Sequence, residues 1–140
     1  MQSPKNMRGF TLLELLVVVV IIGLLAAFVA PKYFGQIGRS KTQIAKAQIE
    51  SFEKAMDQYR IDVGSYPTTS QGLVALFAQP NNVTNWNGPY LKKGIPDDPW
   101  GKPYVFASPG KNGREYDISS LGADGKENGT KEDADVTSWN

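Results

Sequence analysis

The feature that most constrains this chain is an uninterrupted apolar segment close to its N-terminus. From Leu12 to Ala30 the sequence reads LLELLVVVVIIGLLAAFVA, and Glu14 is the one ionisable residue within it. As an α-helix the segment would be about 28 Å long, at about 1.5 Å per residue. That length nearly matches the hydrocarbon core of a bilayer, about 30 Å, and far exceeds what a buried strand requires. The segment therefore predicts a membrane-spanning helix.

The carboxylate of Glu14 is the exception within this segment. An acid at the centre of a membrane helix costs about 2.5–3.5 kcal/mol, and less near the interface. An ionisable side chain in a span is a candidate functional site whose partner of opposite charge must be named. The alternative is that Glu14 lies at the level of the lipid headgroups without a role, and the residues alone leave both interpretations open.

The residues before the segment distinguish two ways of processing the chain. They form a short, polar stretch that carries Lys5 and Arg8. A secretory signal has an apolar core of about 7–15 residues and then an A-x-A-like site, whereas this core is longer and its late alanines lack that spacing. Cleavage between Gly9 and Phe10 would instead retain the anchor and free an α-ammonium on Phe10, one helical turn from Glu14.

The motif Gly9-Phe10-Thr11-Leu12-Leu13-Glu14, between two basic residues and the apolar segment, resembles the N-terminus of type IV pilin and type II secretion pseudopilin precursors. The resemblance implies that a prepilin peptidase cuts after Gly9 and that Phe10 is then N-methylated. It also implies that Glu14 docks onto the free amine of a neighbouring subunit during assembly. Physical chemistry agrees, because a carboxylate in lipid requires a cation.

Composition excludes several classes of function. The chain has 140 residues, enough for one modest domain besides the anchor, and contains neither cysteine nor histidine. Disulfides and Ser-His-Asp or Cys-His catalysis are therefore excluded, and a zinc site is disfavoured. The composition is still compatible with a site for a cation that takes only oxygen ligands. The net charge is +1, and loss of Lys5 and Arg8 with the leader would make it 1 − 2 = −1, which does not indicate nucleic-acid binding. Asp97 and Asp98 could form an acid–base pair, but no supporting constellation accompanies them, so no enzymatic activity is predicted.

Periodicity and turn residues predict the rest of the fold. Pro31 is where a kink is expected, and Gly64 is expected to end the helix. Between Ser40 and Val63, apolar residues at spacings of three and four predict an amphipathic helix that packs on its own domain: Ala45, Ile49, Phe52, Met56, Tyr59 and Val63.

Shorter elements follow this helix. Thr68 and Gln71 fit a capping box, followed by a short helix through Leu73, Leu76 and Phe77. Residues 104–107 and 115–118 are predicted to form a hairpin, which is marginal alone and should pack against the long helix.

The C-terminal segment is rich in acids and glycines. Asp124, Asn128, Gly129 and Asp135 take the first, fifth, sixth and twelfth positions of an EF-hand-like count. Lys126 occupies the third position and no helical pattern flanks the segment, so a true EF-hand is rejected. A calcium-binding loop of another kind and a solvated acidic tail both stay open.

Further motifs extend a resemblance to the major, G-type pseudopilins of type II secretion over nearly the whole chain. They are Tyr66-Pro67-Thr68-Thr69, Gln71-Gly72-Leu73, Gly88-Pro89-Tyr90-Leu91, Pro96-Asp97-Asp98-Pro99-Trp100-Gly101, Ser108-Pro109-Gly110, Ser120-Leu121-Gly122-Ala123-Asp124-Gly125 and Asp133-Ala134-Asp135-Val136. The resemblance implies one structural Ca²⁺ in the C-terminal loop. Asp124 and the Leu121 carbonyl are its best candidate ligands, and Asp133 and Asp135 compete for a second carboxylate role. Weaker candidates are the Lys126 carbonyl and Asn128 or Thr130.

The predicted fold is α+β and type IV pilin-like, with a long N-terminal helix on a small domain of short helix, hairpin and calcium loop. Residues 1–9 would be a leader, 10–31 the transmembrane and assembly helix, 32–64 its amphipathic continuation and 65–140 a periplasmic domain. The resemblance implies a single-pass bacterial inner-membrane protein that polymerises with itself into a helical periplasmic pseudopilus, which drives export of folded proteins across the outer membrane. It implies as partners the prepilin peptidase, minor pseudopilins and the inner-membrane assembly platform, with no nucleic acid.

Three alternatives stay open. A type IV pilin for adhesion or motility would more often carry a C-terminal cysteine pair, which this sequence lacks. A membrane-anchored calcium-binding module predicts neither cleavage at Gly9 nor a polymer. An anchored hydrolase using Asp97 and Asp98 predicts activity that survives deletion of the helix.

Overall fold

The computed structural model describes residues 9–140, so the predicted leader with Lys5 and Arg8 lies outside the described residues except for Gly9. The chain forms two compact units, one ending at Ile37 and the other covering Gly38–Asn140. The first helix, α1, runs from Leu12 to Val63.

In the first unit the apolar segment is helical, as predicted. Its most apolar stretch has a mean hydropathy of 3.1 and none of it is buried, and by length and composition the helix could cross a membrane. The helix continues through Pro31, and the kink expected there stays a prediction. Proline there removes one backbone donor without ending the helix, because the residues on both sides keep helical geometry.

In the second unit one face of α1 is buried, which confirms the predicted stripe and adds Ala55 to it. Val63, at the end of the stripe, is partly buried against the core. The helix ends where Gly64 takes a φ of +90° and donates its N–H to the Arg60 carbonyl at 2.8 Å. Glycine reaches this left-handed conformation without a steric penalty, so it is a favourable helix terminator.

A small antiparallel sheet covers that face. Its strands, in spatial order, are β1 (Val105–Ala107), β2 (Asp117–Ser120) and β3 (Val136–Thr137). Phe106 is opposite Ile118, and Ser119 is opposite Thr137. The predicted hairpin is confirmed, but its boundaries were wrong: the first strand begins one residue later than residue 104, and the second is 117–120 rather than 115–118. The third strand was not predicted.

The core lies between α1, the sheet and a short 3-10 helix, Leu73–Leu76. This helix was expected to reach Phe77 and instead stops one residue earlier. The capping box before it is confirmed, since the Thr68 N–H donates to Gln71 Oε1 at 2.8 Å and the Gln71 N–H to Thr68 Oγ1 at 3.3 Å. Ile118 of β2 is completely buried. The hairpin thus packs on the long helix, as expected from its marginal stability alone.

Candidate functional site

Of the predicted assembly residues, Gly9 and Phe10 shortly precede α1 and Glu14 lies in its first turn, and all three are exposed. The Glu14 N–H donates to Thr11 Oγ1 at 3.2 Å, and Glu14 Oε2 accepts the Thr11 N–H at 3.3 Å. This is a reciprocal capping box, which satisfies two backbone donors of the first turn and places a carboxylate at the positive end of the helix dipole. The T-x-x-E pattern at residues 11–14 could have revealed it from the sequence, and it was missed.

The surface behind Glu14 is apolar on every side of the helix. Large side chains from Leu12 to Val29 are exposed, and Phe28 keeps 84% of its surface accessible. A helix that is apolar all round is typical of one buried in a membrane or among other helices. The first unit therefore presents a surface that requires lipid or partner helices.

The second candidate site is the acidic loop between β2 and β3. The Ala123 N–H donates to the Glu132 carbonyl at 3.0 Å, and the Asn128 N–H donates to Asp135 Oδ2 at 3.0 Å. Asp124 accepts the Lys126 N–H at 3.0 Å and is otherwise exposed. These bonds join the two ends of the loop, so its conformation is defined by the protein itself.

Glycines make the closure of the loop sterically feasible. A Cβ on Gly129 would lie 1.8 Å from the Asp133 carbonyl oxygen, and one on Gly122, whose φ is +65°, would lie 2.8 Å from the Asp133 carbonyl carbon. Real Cβ atoms do not approach backbone so closely. The two glycines therefore allow the first and last parts of the loop to pack backbone against backbone.

The side chain of Asp135 carries the clearest electrostatic signal in this loop. Its Oδ1 is buried and has no hydrogen-bond partner within the part of the chain that the structure describes. An unpaired buried polar atom costs about 1–3 kcal/mol, and more when charged, unless a cation compensates it. Leu121, Asn128 and Asp135 line one pocket together with Thr137, whose Oγ1 is also buried and has no partner within residues 9–140. Carboxylate, amide and hydroxyl oxygens are ligands that hard cations accept, although apolar side chains and Lys111 also line this pocket.

The other predicted ligands do not line that pocket. Asp124, Asp133 and Lys126 lie elsewhere in the loop, and residues 9–140 contain no cluster of three or more acidic ligand side chains. A calcium ion here would therefore depend on backbone carbonyls as much as on carboxylates, which Ca²⁺ accepts because it takes about six to eight oxygen ligands.

A second anchored carboxylate, Asp117, faces the same pocket. Arg114 donates to Asp117 from Nε at 2.5 Å and from Nη2 at 3.0 Å, and this guanidinium holds the pKa of Asp117 below its ordinary value. The Lys111 N–H also donates to Asp117, at 2.8 Å. Arg114 stacks 4.3 Å from the ring centroid of Trp139. Arg114, paired with Asp117 and packed on Trp139, thus holds the hairpin loop against the C-terminal end of the chain.

The two aspartates considered for acid–base chemistry have separate environments. Asp97 is exposed, whereas Asp98 is 4% exposed and both of its oxygens accept hydrogen bonds. Oδ1 accepts the N–H groups of Trp100 and Lys102, and Oδ2 accepts the Ser120 hydroxyl at 2.5 Å. Asp98 is therefore engaged in local structure, because its oxygens bond to its own turn and to Ser120.

Comparison with known proteins gives concordant matches over both units. The family model described as Type II secretion system (T2SS), protein G matches residues 32–139, and the Prokaryotic N-terminal methylation motif matches residues 4–30. A type II secretion system core protein G from Pseudomonas aeruginosa is 46% identical over 139 residues, covering 96% of each chain. The protein of the same name from Vibrio cholerae is 45% identical over 143 residues, covering 100% of this chain and 97% of that one.

A solved structure also matches. The crystal structure of the major pseudopilin from the type 2 secretion system of enterohaemorrhagic Escherichia coli superposes with a TM-score of 0.64 at 33% sequence identity. The match covers 76% of this chain and 92% of that one.

Proposed function

Because the chain belongs to the family of type II secretion system protein G, we propose that it is the repeating subunit of a pseudopilus that drives export of folded proteins. Its role is structural, and it is a substrate of the prepilin peptidase rather than an enzyme. The match to the methylation motif over residues 4–30 supports cleavage after Gly9 and methylation of Phe10.

The observation that carries this proposal is the exposed apolar surface from Leu12 to Val29. Burying one Val, Leu, Ile or Phe side chain contributes about 1.5–3 kcal/mol, so the segment is stable only when covered. Lipid covers it before assembly, and the same segments of neighbouring subunits cover it in the filament. The proposed location follows: a single-pass inner-membrane protein with residues 65–140 in the periplasm, which then enters the periplasmic filament.

Glu14 guides the transfer of the apolar segment from lipid into the filament. Its carboxylate has a local partner in Thr11 but forms no ion pair within residues 9–140. In an apolar filament core the α-ammonium of Phe10 from a neighbouring subunit supplies the opposite charge. The minor pseudopilins and the inner-membrane assembly platform are the proposed partners that start and sustain polymerisation.

The C-terminal loop completes the proposed function by binding one structural Ca²⁺. Asp135 supports this most directly, because its Oδ1 has no partner among residues 9–140 and Leu121 and Asn128 line the same pocket. Asp124, Asp133 and the Lys126 carbonyl stay candidate ligands, since Ca²⁺ needs more oxygens than that pocket offers from side chains. When bound, the ion supplies positive charge that holds together a loop without disulfides.

The proposal is tested by replacing Glu14 in cells that contain the secretion machinery. Glu14→Gln removes the charge but keeps an oxygen that can accept the Thr11 N–H, whereas Glu14→Ala removes both. We expect both variants to reach the membrane as mature chains beginning at N-methylated Phe10, measured by mass spectrometry, and neither to form filaments. A cell without the peptidase is the control for processing.

Two outcomes would contradict the proposal in different ways. Normal filaments from Glu14→Gln would show that the charge is not required for assembly. A wild-type product that keeps residues 1–9 in the presence of the peptidase would contradict the processing step and the exposed amine on which docking depends.

A further inference from the structure

The side chain of Lys102 enters the acidic loop from a distant part of the chain. Lys102 precedes β1, yet its Nζ donates to the Ala123 carbonyl and lies 3.4 Å from the Gly122 carbonyl oxygen. The side chain is half-buried. An ammonium group therefore already lies against the backbone of the loop proposed to bind Ca²⁺.

The backbone of Lys102 is held firmly at the start of this side chain. The Lys102 N–H donates to Asp98 Oδ1 at 2.9 Å, and the Asp98 N–H donates back to the Lys102 carbonyl at 2.7 Å. Asp98 is buried and also accepts the Trp100 N–H at 3.0 Å. The turn thus fixes the point from which the lysine extends.

The same carboxylate also holds the entry to the acidic loop. Asp98 Oδ2 accepts the hydroxyl of Ser120 at 2.5 Å, and Ser120 Oγ accepts the Gly122 N–H at 3.3 Å. Ser120 is completely buried. Asp98 therefore sets the position of the loop backbone and of Lys102 relative to one another.

Gly125 makes room for the lysine. Its φ is +69°, and a Cβ built on it would lie 3.1 Å from Cε, 3.2 Å from Cδ and 3.3 Å from Nζ of Lys102. The lysine stem consequently packs over the residue that directly follows Asp124. Both ends of the segment 122–125 are in contact with this one side chain.

We propose that Lys102 is a positioning residue, an internal cation that orders residues 122–125 so that the Leu121 carbonyl and the Asp124 carboxylate are prepared for Ca²⁺. This inference rests on the calcium site proposed above. The ammonium satisfies the carbonyls of Gly122 and Ala123, which leaves the neighbouring oxygens for the ion. Its positive charge also opposes Ca²⁺ by Coulomb repulsion, so the calcium affinity of a variant without this charge measures whether ordering outweighs that repulsion.

The test compares Lys102→Met with Lys46→Met in the full chain in detergent. Lys46 is an exposed lysine of α1, so its replacement removes the same charge away from the loop. Hydrogen exchange is measured without calcium at the amides of Ala123 and Lys126, which are bonded within the loop. The dissociation constant for Ca²⁺ itself is measured by calorimetry.

We expect Lys102→Met to accelerate exchange at these two loop amides and to leave core amides unchanged. If the ordered population of the loop falls about tenfold, the apparent Kd for Ca²⁺ rises about tenfold. Lys102→Arg keeps the charge and donors and should restore both values towards wild type, while Lys46→Met should match wild type.

Three results would overturn the assignment. Unchanged loop exchange, tighter Ca²⁺ binding by Lys102→Met, or equally faster exchange throughout the domain would each show that Lys102 does not order the loop for the ion. A wild-type chain that binds no Ca²⁺ would refute the calcium site itself, and exchange without calcium would still decide whether Lys102 orders the loop.

Discussion

Replacing Asp135 by asparagine is expected to have opposite effects with and without calcium. Asp135 Oδ2 accepts the Asn128 N–H at 3.0 Å, and an asparagine oxygen can keep that bond. The other oxygen, Oδ1, is buried and has no hydrogen-bond partner in the described part of the chain. Without calcium the substitution removes a negative charge from a half-buried side chain whose Oδ1 has no hydrogen-bond partner among residues 9–140, so stability should stay equal or rise by about 1 kcal/mol. With calcium it removes a ligand, so the gain on adding the ion should shrink.

The size of the effect follows from binding linkage. A ligand at about 100 times its Kd stabilises the folded state by about 2.7 kcal/mol. In a domain of about 100 residues, 1 kcal/mol corresponds to a change in Tm of about 4 °C or more, so wild type should gain about 10 °C or more. The variant should gain a small fraction of that shift at the same calcium concentration.

The assay is thermal unfolding of the full chain in detergent, with chelator and with calcium, followed by circular dichroism. Asp97→Asn is the matched control, because it removes an identical charge from an exposed position. The reasoning fails if Asp135→Asn keeps the whole calcium shift, since Asp135 would then not be a ligand. It also fails if the variant is strongly destabilised in chelator, since its Oδ1 would then already be paired.

Two further predictions concern the core and the hairpin. Ile118→Ala should lower the unfolding free energy by about 2–5 kcal/mol in urea titrations, because Ile118 is fully buried. The control Val74→Ala, at an exposed position, should change it little, and equal effects of the two variants would contradict the assigned core. Arg114 lowers the pKa of Asp117, so this pair stabilises the fold above about pH 4, the unfolded pKa, and the contribution is lost as pH falls through the lower folded pKa. Arg114→Gln should therefore flatten the acid limb of the stability profile measured with denaturant, and an unchanged limb would contradict the pairing.

The helical half of the fold could be predicted because its signals are local. The stripe from Ala45 to Val63 repeats at the helical period, and Gly64 supplies the left-handed φ that ends the helix. The capping box at Thr68 and Gln71 depends on residues three apart. Each of these features is specified by neighbours in the sequence, so one stretch contains all the information needed.

The sheet was predicted only in part because its strands are specified by distant partners. All four residues of β2, Asp117–Ser120, are buried, so the alternation that would mark its boundaries is absent. Strand β3 has two residues, and its pairing partners Ser119 and Ser120 lie before the acidic loop. A segment so short has no period of its own, and pairing with β2 decides its conformation.

The acidic loop is also specified by residues distant in the sequence, and this affects which side chains are candidate calcium ligands. The resemblance to G-type pseudopilins favoured Asp124, and the structure gives an independent reason to consider Asp135, whose Oδ1 is buried and has no partner among the described residues. Lys102 could not be found by spacing, since its carbonyl partners are 20 and 21 residues away. Its side chain reaches them only because buried Asp98 bonds to its backbone N–H and to Ser120 at the loop entrance. A loop that an internal ammonium already orders loses less conformational entropy when an ion binds. A smaller part of the binding free energy of that ion is therefore offset by the cost of ordering the backbone.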